Sequence, residues 1–438
     1  MTGVLDRELR SLGPFQVGVA NVPAETDLPT KNGVQVALRE AVNVDIPSSG
    51  AVQRREGYSL ALAGTSAHSG WHDGMFPFAL YVDQGTLRAM QTGGSTWPLV
   101  SGLHDAEVSY ALVNERAYWS NGAQTGIVTA GGDALPWGVE HPNGQPLVSV
   151  SAAGGLAAGL YQVAVTFRDI RGEESGTGQA AQIAVPEGGG IALSNVPQPL
   201  DADVNIVRVY LSPANGDMLY FVRDMPVGMT SATLGAGARG KPLDSQFMEK
   251  MPAGNIVRAL NGRMFVARGA EMLWSEALGF GLHHPTKNRL RVGAKITLME
   301  PVADGTDAAG LFVADEKRTY FFSGSDPAQF AKRICYSYPA IPGTGQRVPS
   351  NVFGIESTAP AVYWIATNGV ACLGLPGGQV VPLAEHIAVA PNAPKGASLF
   401  RETRGMSQVV TALRESTQRT GMTDAAVARV YRNGVEIT

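Results

Sequence analysis

An all-β chain is predicted, an irregular β-propeller carrying an inserted immunoglobulin- or fibronectin-like β-sandwich. Three observations predict it. Strand–turn–strand units of similar wording recur along the 438 residues at irregular spacing. The chain holds 53 glycines and 27 prolines, and only 16% of its residues are charged. One stretch, from Gly154 to Pro226, breaks the series with its own run of short strands.

The recurring unit is clearest in "RAYWSNGAQTGIV" (Arg116 to Val128) and "AVYWIATNGVACL" (Ala361 to Leu373), where a Tyr-Trp pair precedes Asn-Gly and a short apolar run. "FALYVDQGTLRAM" (Phe78 to Met90) turns at Asp83-Gln84-Gly85, and "YALVNERAYWS" turns at Asn114-Glu115. "GRMFVARGAEMLWSEA" (Gly262 to Ala277) turns at Arg268-Gly269, and "GLFVADEKRTYFFSG" (Gly310 to Gly324) turns at Asp315-Glu316-Lys317. Apolar and aromatic residues flanking such turns are the hairpin signal, and hairpins repeated at irregular intervals read as propeller blades. Few windows repeat apolar residues at three and four, so helices are not expected.

Between the second and third units, "YQVAVTF", "AQIAV", "GIALSNV", "NIVRVYLS" and "MLYFVRD" alternate and turn in the manner of a small sandwich. The predicted organisation is therefore 1–144 as the first part of the propeller, 145–245 as the inserted sandwich and 246–438 as the remainder. Insertion at a loop tip is the tolerated place for such a module. After Pro391 polar strands follow, and the chain ends on "VARVYRNGVEIT", read as one more hairpin around Asn433-Gly434.

Composition excludes several functions. A formal net charge of -4 argues against a sequence-reading nucleic-acid binder, which is normally basic. It suits a protein that DNA slides past. Charge far below the usual quarter of residues points to large permanent interfaces. Cys335 and Cys372 give neither metal spacing nor a disulfide framework and read as buried thiols in a reducing cytoplasm. "MTGVLDRELRSLGPFQ" lacks the apolar core of a signal peptide. No uninterrupted apolar run approaches the ~18 residues of a membrane span.

Catalytic and cofactor motifs fare poorly. "LGAGARGKPLD" holds Gly235-x-Gly237-x-x-Gly240 and most of a phosphate loop. Both chemistries need a helix N-terminus directly after the glycines, and Pro242 stands where a phosphate loop needs Ser or Thr. The segment reads as a return linker. His283 and His284, adjacent in an extended segment, point opposite ways and suit one metal badly. Trp71-His72-Asp73 offers no nucleophile at a recognisable spacing. The Tyr-Trp pairs could form a sugar platform, but their place inside strands favours core packing. No cofactor and no catalytic residue is expected.

A stretch near the N-terminus is more specific. "NGVQVALREAVNVDIPSSGAVQRREGYSL" places Asn43 in a strand, then a turn ending at Gly50, then Arg54-Arg55 and Gly57-Tyr58. This resembles the opening of the nozzle or tail-hub proteins of bacteriophages, also called tail tubular or DNA-stabilisation proteins. The likeness continues through "VSYALVNERAYWSNG", "KRTYFFSGSDPAQF" and "AVYWIATNGVACLGLPGGQVVPLAEHIA".

The resemblance implies a structural virion protein of the tail, assembled in the host bacterial cytoplasm and not an enzyme. It would form a homo-oligomeric ring, a hexamer or a trimer, that lines the DNA exit channel. Its partners would be portal-adaptor or other tail proteins, tail fibres and passing viral DNA read without sequence preference. Candidate interface or channel positions are Arg54 and Arg55, for inter-subunit ion pairs, the DNA backbone or a merely solvated strand end. Asp315, Glu316 and Lys317 join them on a hairpin tip. The alternative is a receptor-binding or polysaccharide-acting tail tip protein.

Overall fold

The computed structural model describes residues 14–23, 27–32, 34–42, 44–46, 49–55, 60, 63–104, 106–303, 308–355, 359–403, 406–414 and 427–431. Among them regular structure is almost entirely β, organised as many small open sheets with a few short 3₁₀ turns. Asn43, Gly57, Tyr58 and the Asn433-Gly434 turn fall outside the described residues. The chain divides into two compact units, one of residues 64–291 and the other of 1–63 with 292–438.

The contiguous unit contains three four-stranded antiparallel meanders. Sheet A comprises His68–Trp71, Ala79–Asp83, Thr86–Met90 and Thr96–Val100. Sheet B comprises Ser109–Val113, Arg116–Ser120, Thr125–Thr129 and Ala134–Leu135. Sheet C comprises Ile256–Leu260, Arg263–Arg268, Glu271–Trp274 and Arg289–Arg291. One hairpin of each, the second in sheet A and the first in sheets B and C, closes through a two-residue turn with both central residues at positive φ: Gln84-Gly85, Asn114-Glu115 and Asn261-Gly262. Such turns match the right-handed twist of the strands they join.

Strand alternation explains the Tyr-Trp echo. In sheet B, Ala117, Trp119 and Val128 pack against Leu80, Leu87 and Ala89 of sheet A. The intervening Tyr118 and Ile127 face the other way, against Val257, Val266 and Leu273 of sheet C. A strand buried on both faces needs apolar residues at consecutive positions, and this is why the sequence shows an aromatic run rather than alternation. The first strands of sheets B and C also meet, the Val257 N–H and Arg258 guanidinium both donating to Ser109 Oγ at 3.0 Å.

The second unit repeats the scheme. Sheet D comprises Ile296–Val302, Gly310–Asp315, Thr319–Ser323 and Ala331–Tyr336. Sheet E comprises Gln346–Pro349, Pro360–Ile365, Ala371–Gly374 and Val380–Leu383. Sheet F has three strands, Lys395–Thr403, Met406–Arg414 and Val427–Tyr431. Trp364 and Val362 pack on Phe312 and Ala314 of sheet D, while Tyr363 and Ile365 turn to Val409 and Leu413 of sheet F. The two tryptophans even share a device. A Cβ at Gly126 would lie 2.6 Å from the Trp119 ring, and one at Gly374 would lie 2.8 Å from that of Trp364, so only glycine admits either indole.

Residues before sheet D form two-residue ladders, with Gly18–Val19 beside Ala37–Leu38 and Val44–Asp45 beside Gln53–Arg54. Asn21 fastens this segment: its amide donates to Val389 O, and its carbonyl accepts from Val389 N–H, both at 2.9 Å.

Within the contiguous unit, seven strands between sheets B and C make a separate two-sheet body. Three strands, Leu147–Ser151, Gly190–Ser194 and Ala232–Leu234, face four, Ala181–Val185, Gly159–Asp169, Val204–Leu211 and Tyr220–Pro226. Val163, Val165, Phe167, Val207, Val209, Ile191, Leu193 and Leu234 fill the space between them. The glycine-rich run then returns along the outer edge: Gly240 N–H donates to Phe221 O and Leu243 N–H to Leu219 O, at 2.8 and 2.9 Å. No helix follows it.

Candidate functional site

The five sequence-derived positions fall in two places, both in the second unit. Arg55 is buried, its Nε and Nη2 donating to Asp45 Oδ1 at 3.2 Å across the 44–54 ladder. Its neighbour Arg54 is exposed. The two neighbours part at the end of the strand: Arg55, just past it, turns in to Asp45, and Arg54 faces outward.

Asp315 ends a strand of sheet D and is fully buried. Its Oδ1 accepts the Lys317 and Arg318 N–H groups at 2.8 and 3.0 Å, and Oδ2 accepts Ala294 N–H and the Tyr320 hydroxyl at 3.2 Å. Burial pushes this carboxyl up, but the four donors outweigh it and hold the group below the usual aspartate range. Asp315 therefore builds the turn, while Glu316 and Lys317 are exposed at its tip.

Sequence reading missed the most developed polar cluster, around the segment joining the first two strands of the four-stranded insert sheet. Asp169 is buried and paired with Arg171, whose Nε lies 2.6 Å and Nη2 2.5 Å from Oδ2. Arg171 Nη1 also donates to Pro136 O at 3.2 Å, and Glu173 stands 3.8 Å from Arg116 of sheet B. Burial first, then the Asp169 charge, raise the Glu173 carboxyl above the ordinary range, against the opposing pull of Arg171 and Arg116.

One residue on, Glu174 accepts from Thr166 Oγ1 and the Tyr210 hydroxyl at 2.6 Å and from Arg208 at 3.0 Å. Arg208 continues to Asp224, also at 3.0 Å. Burial and the adjoining Glu174 push the Tyr210 hydroxyl up, so it stays a donor. Both Glu174 carboxylate oxygens are engaged, an arrangement that fixes a segment in place. "RDIRGEES" signals a turn, but nothing in one dimension shows that its charges meet Arg116, Arg208 and Tyr210.

His283 is buried with Nδ1 3.0 Å from Trp274 O, and burial lowers its basicity; His284 lies at the surface turn that follows. Burial raises the Cys335 thiol to about 12 and the Cys372 thiol further, so neither is a thiolate at neutral pH. Among the described residues no group of three His, Cys, Asp or Glu side chains could hold a metal ion. No helix among them is long and apolar enough to cross a membrane.

No family model and no curated protein matches this chain. A solved structure of BBS1N in complex with ARL6DN is similar over 82% of this chain and 92% of its own, at 11% identity and a TM-score of 0.32. A likeness that loose carries no argument about fold or function.

Proposed function

We propose that this chain is a structural virion protein of a bacteriophage tail, a subunit of a ring-shaped hub or nozzle that lines the DNA exit channel. The observation that supports it best is the stacking of consecutive meanders, A on B on C and D on E on F, through central strands buried on both faces. This is how successive blades of an irregular β-propeller pack. The seven-stranded body between B and C is read as its fibronectin-like insert, and the order of motifs resembles that of tail nozzle proteins.

Function would then be steric and electrostatic. Identical subunits close a ring, and its loops narrow or open the passage. A net charge of -4 keeps such a wall from gripping DNA. Exposed Arg54, Glu316 and Lys317 are the sequence-derived positions free to meet neighbours, portal-adaptor proteins or fibres. The protein acts in the virion after assembly in the bacterial cytoplasm.

Negative-stain electron microscopy of the purified chain, alone and with tail partners, tests the reading. Rings with a central hole support it, and their symmetry separates a six-fold nozzle from a three-fold hub. Monomers that persist with partners present overturn it in favour of an adhesin or a polysaccharide-acting enzyme.

A further inference from the structure

Two surfaces of the contiguous unit carry opposite and unbalanced charge. Sheet C ends at the strand Arg289–Arg291, where Arg289 and Arg291 are exposed on one face and Leu290 is half-buried on the other. Lys287 precedes them and is exposed. One carboxylate serves this edge: Glu271 lies opposite Arg291 in register, yet its Oε1 is taken by Arg289. Arg291 has no ion-pair partner among the described residues. Positive charge is thus left over on a strand whose outer side is unpaired within the sheet.

The complementary surface is the loop between the insert strands ending at Ser194 and starting at Val204. Leu200 is 105% exposed there, the highest value among the described large apolar side chains. Asp201 and Asp203 flank the exposed Ala202, giving an acid–apolar–acid run at a spacing of two. The loop is held firmly. The Gln198 amide donates to Met229 O and its carbonyl accepts Gly228 N–H, and Asp203 N–H bonds Asp201 Oδ1. The Asp203 carboxylate has no cationic partner among the described residues.

We propose that Leu200, Asp201 and Asp203 of one copy dock on the Lys287–Arg291 edge of a second copy. The firmly held turn at Asp201–Asp203, with Leu200 projecting beside it, brings the carboxylates of one copy against the surplus positive charge of Arg289 and Arg291 on another. Two different patches meeting head to tail make a heterologous contact, the type that generates rings. This contact rests on the ring reading above and names the surfaces through which it would close.

The test is sedimentation velocity of the full chain over a concentration and salt series, with single charge reversals chosen to spare internal pairs. Arg291→Glu and Asp203→Arg are each expected to weaken self-association about tenfold or more and to remove its salt dependence. Combining them restores it. Melting temperatures report whether each variant still folds, and Leu200→Ser, which touches no charge, gives a second weakening. If wild type assembles and the reversals leave assembly unchanged, or the combination fails to restore it, this contact is wrong while the ring survives. If wild type stays monomeric throughout, this contact falls, and the ring reading is then decided by assembly with tail partners.

Discussion

Asp315 shows how one side chain can decide a turn. A fully buried carboxylate with four donors is stable because each donor is charge-assisted, and it is costly to leave half-satisfied. Asp315→Asn keeps the shape but replaces an acceptor oxygen with a donor NH₂, setting N–H groups against each other. A loss of about 2–3 kcal/mol is expected in urea unfolding at pH 7. The pH dependence follows from the depressed carboxyl. Its contribution is complete above the unfolded value near ~3.9 and fades as pH falls through the lower folded value. The gap between wild type and variant should therefore hold from pH 7 to about 5 and shrink toward pH 2. A gap that persists at acid pH would place the effect in packing rather than in charge. The sequence showed Asp315 only as a member of a charged tip, because a buried carboxylate and a solvated one are spelled alike. Arg54 and Arg55 teach the same lesson: two adjacent arginines, one buried against Asp45 and the other in water.

At the scale of elements, legibility tracks how local the cause is. The hairpins were readable because turn residues and flanking apolar runs sit within a dozen positions of each other. The insert strands were readable for the same reason. Edge strands such as Ala331–Tyr336, largely exposed and without alternation, carry no such signal and are fixed by pairing with the strand before them. Least legible was the clamp at the base of the insert, which joins Asp169, Arg171 and Glu173 to Pro136 and Arg116. Arg171→Ala would strand the buried Asp169 charge, costing about 3 kcal/mol or more in the unfolding of this unit. Glu173 behaves oppositely. Its raised carboxyl means that wild type is favoured at low pH and loses that advantage as pH rises through the folded value. Glu173→Gln should therefore be no less stable than wild type at pH 7, with a flatter profile between about pH 4 and 6. A marked loss at pH 7 would show that pairing with Arg116 and Arg171 outweighs burial.

On the scale of the whole molecule, the two compact units differ in how the chain builds them. Residues 64–291 are contiguous and hold complete cores of their own: between sheets A and B, between B and C, and inside the insert. The other unit draws on both ends of the sequence, with Asn21 bonded to Val389 and Val22 N–H to Ile387 O. Its closure requires bringing together segments more than 300 residues apart (|i−j| = 368 for the Asn21 bond), a non-local pairing that folds slowly. A fragment of residues 64–291 is thus expected to fold by itself, with a cooperative melt and near-UV circular dichroism from Trp119, Trp137 and Trp274, all buried in it. A fragment of residues 292–438 lacks the segment that Asn21 fastens, so it should melt lower or without cooperativity, and adding a peptide of residues 1–63 should raise its melting temperature. Equal stability of 292–438 with and without that peptide would show that the N-terminal ladders decorate this unit rather than complete it. Such ladders would then be surface available to another subunit.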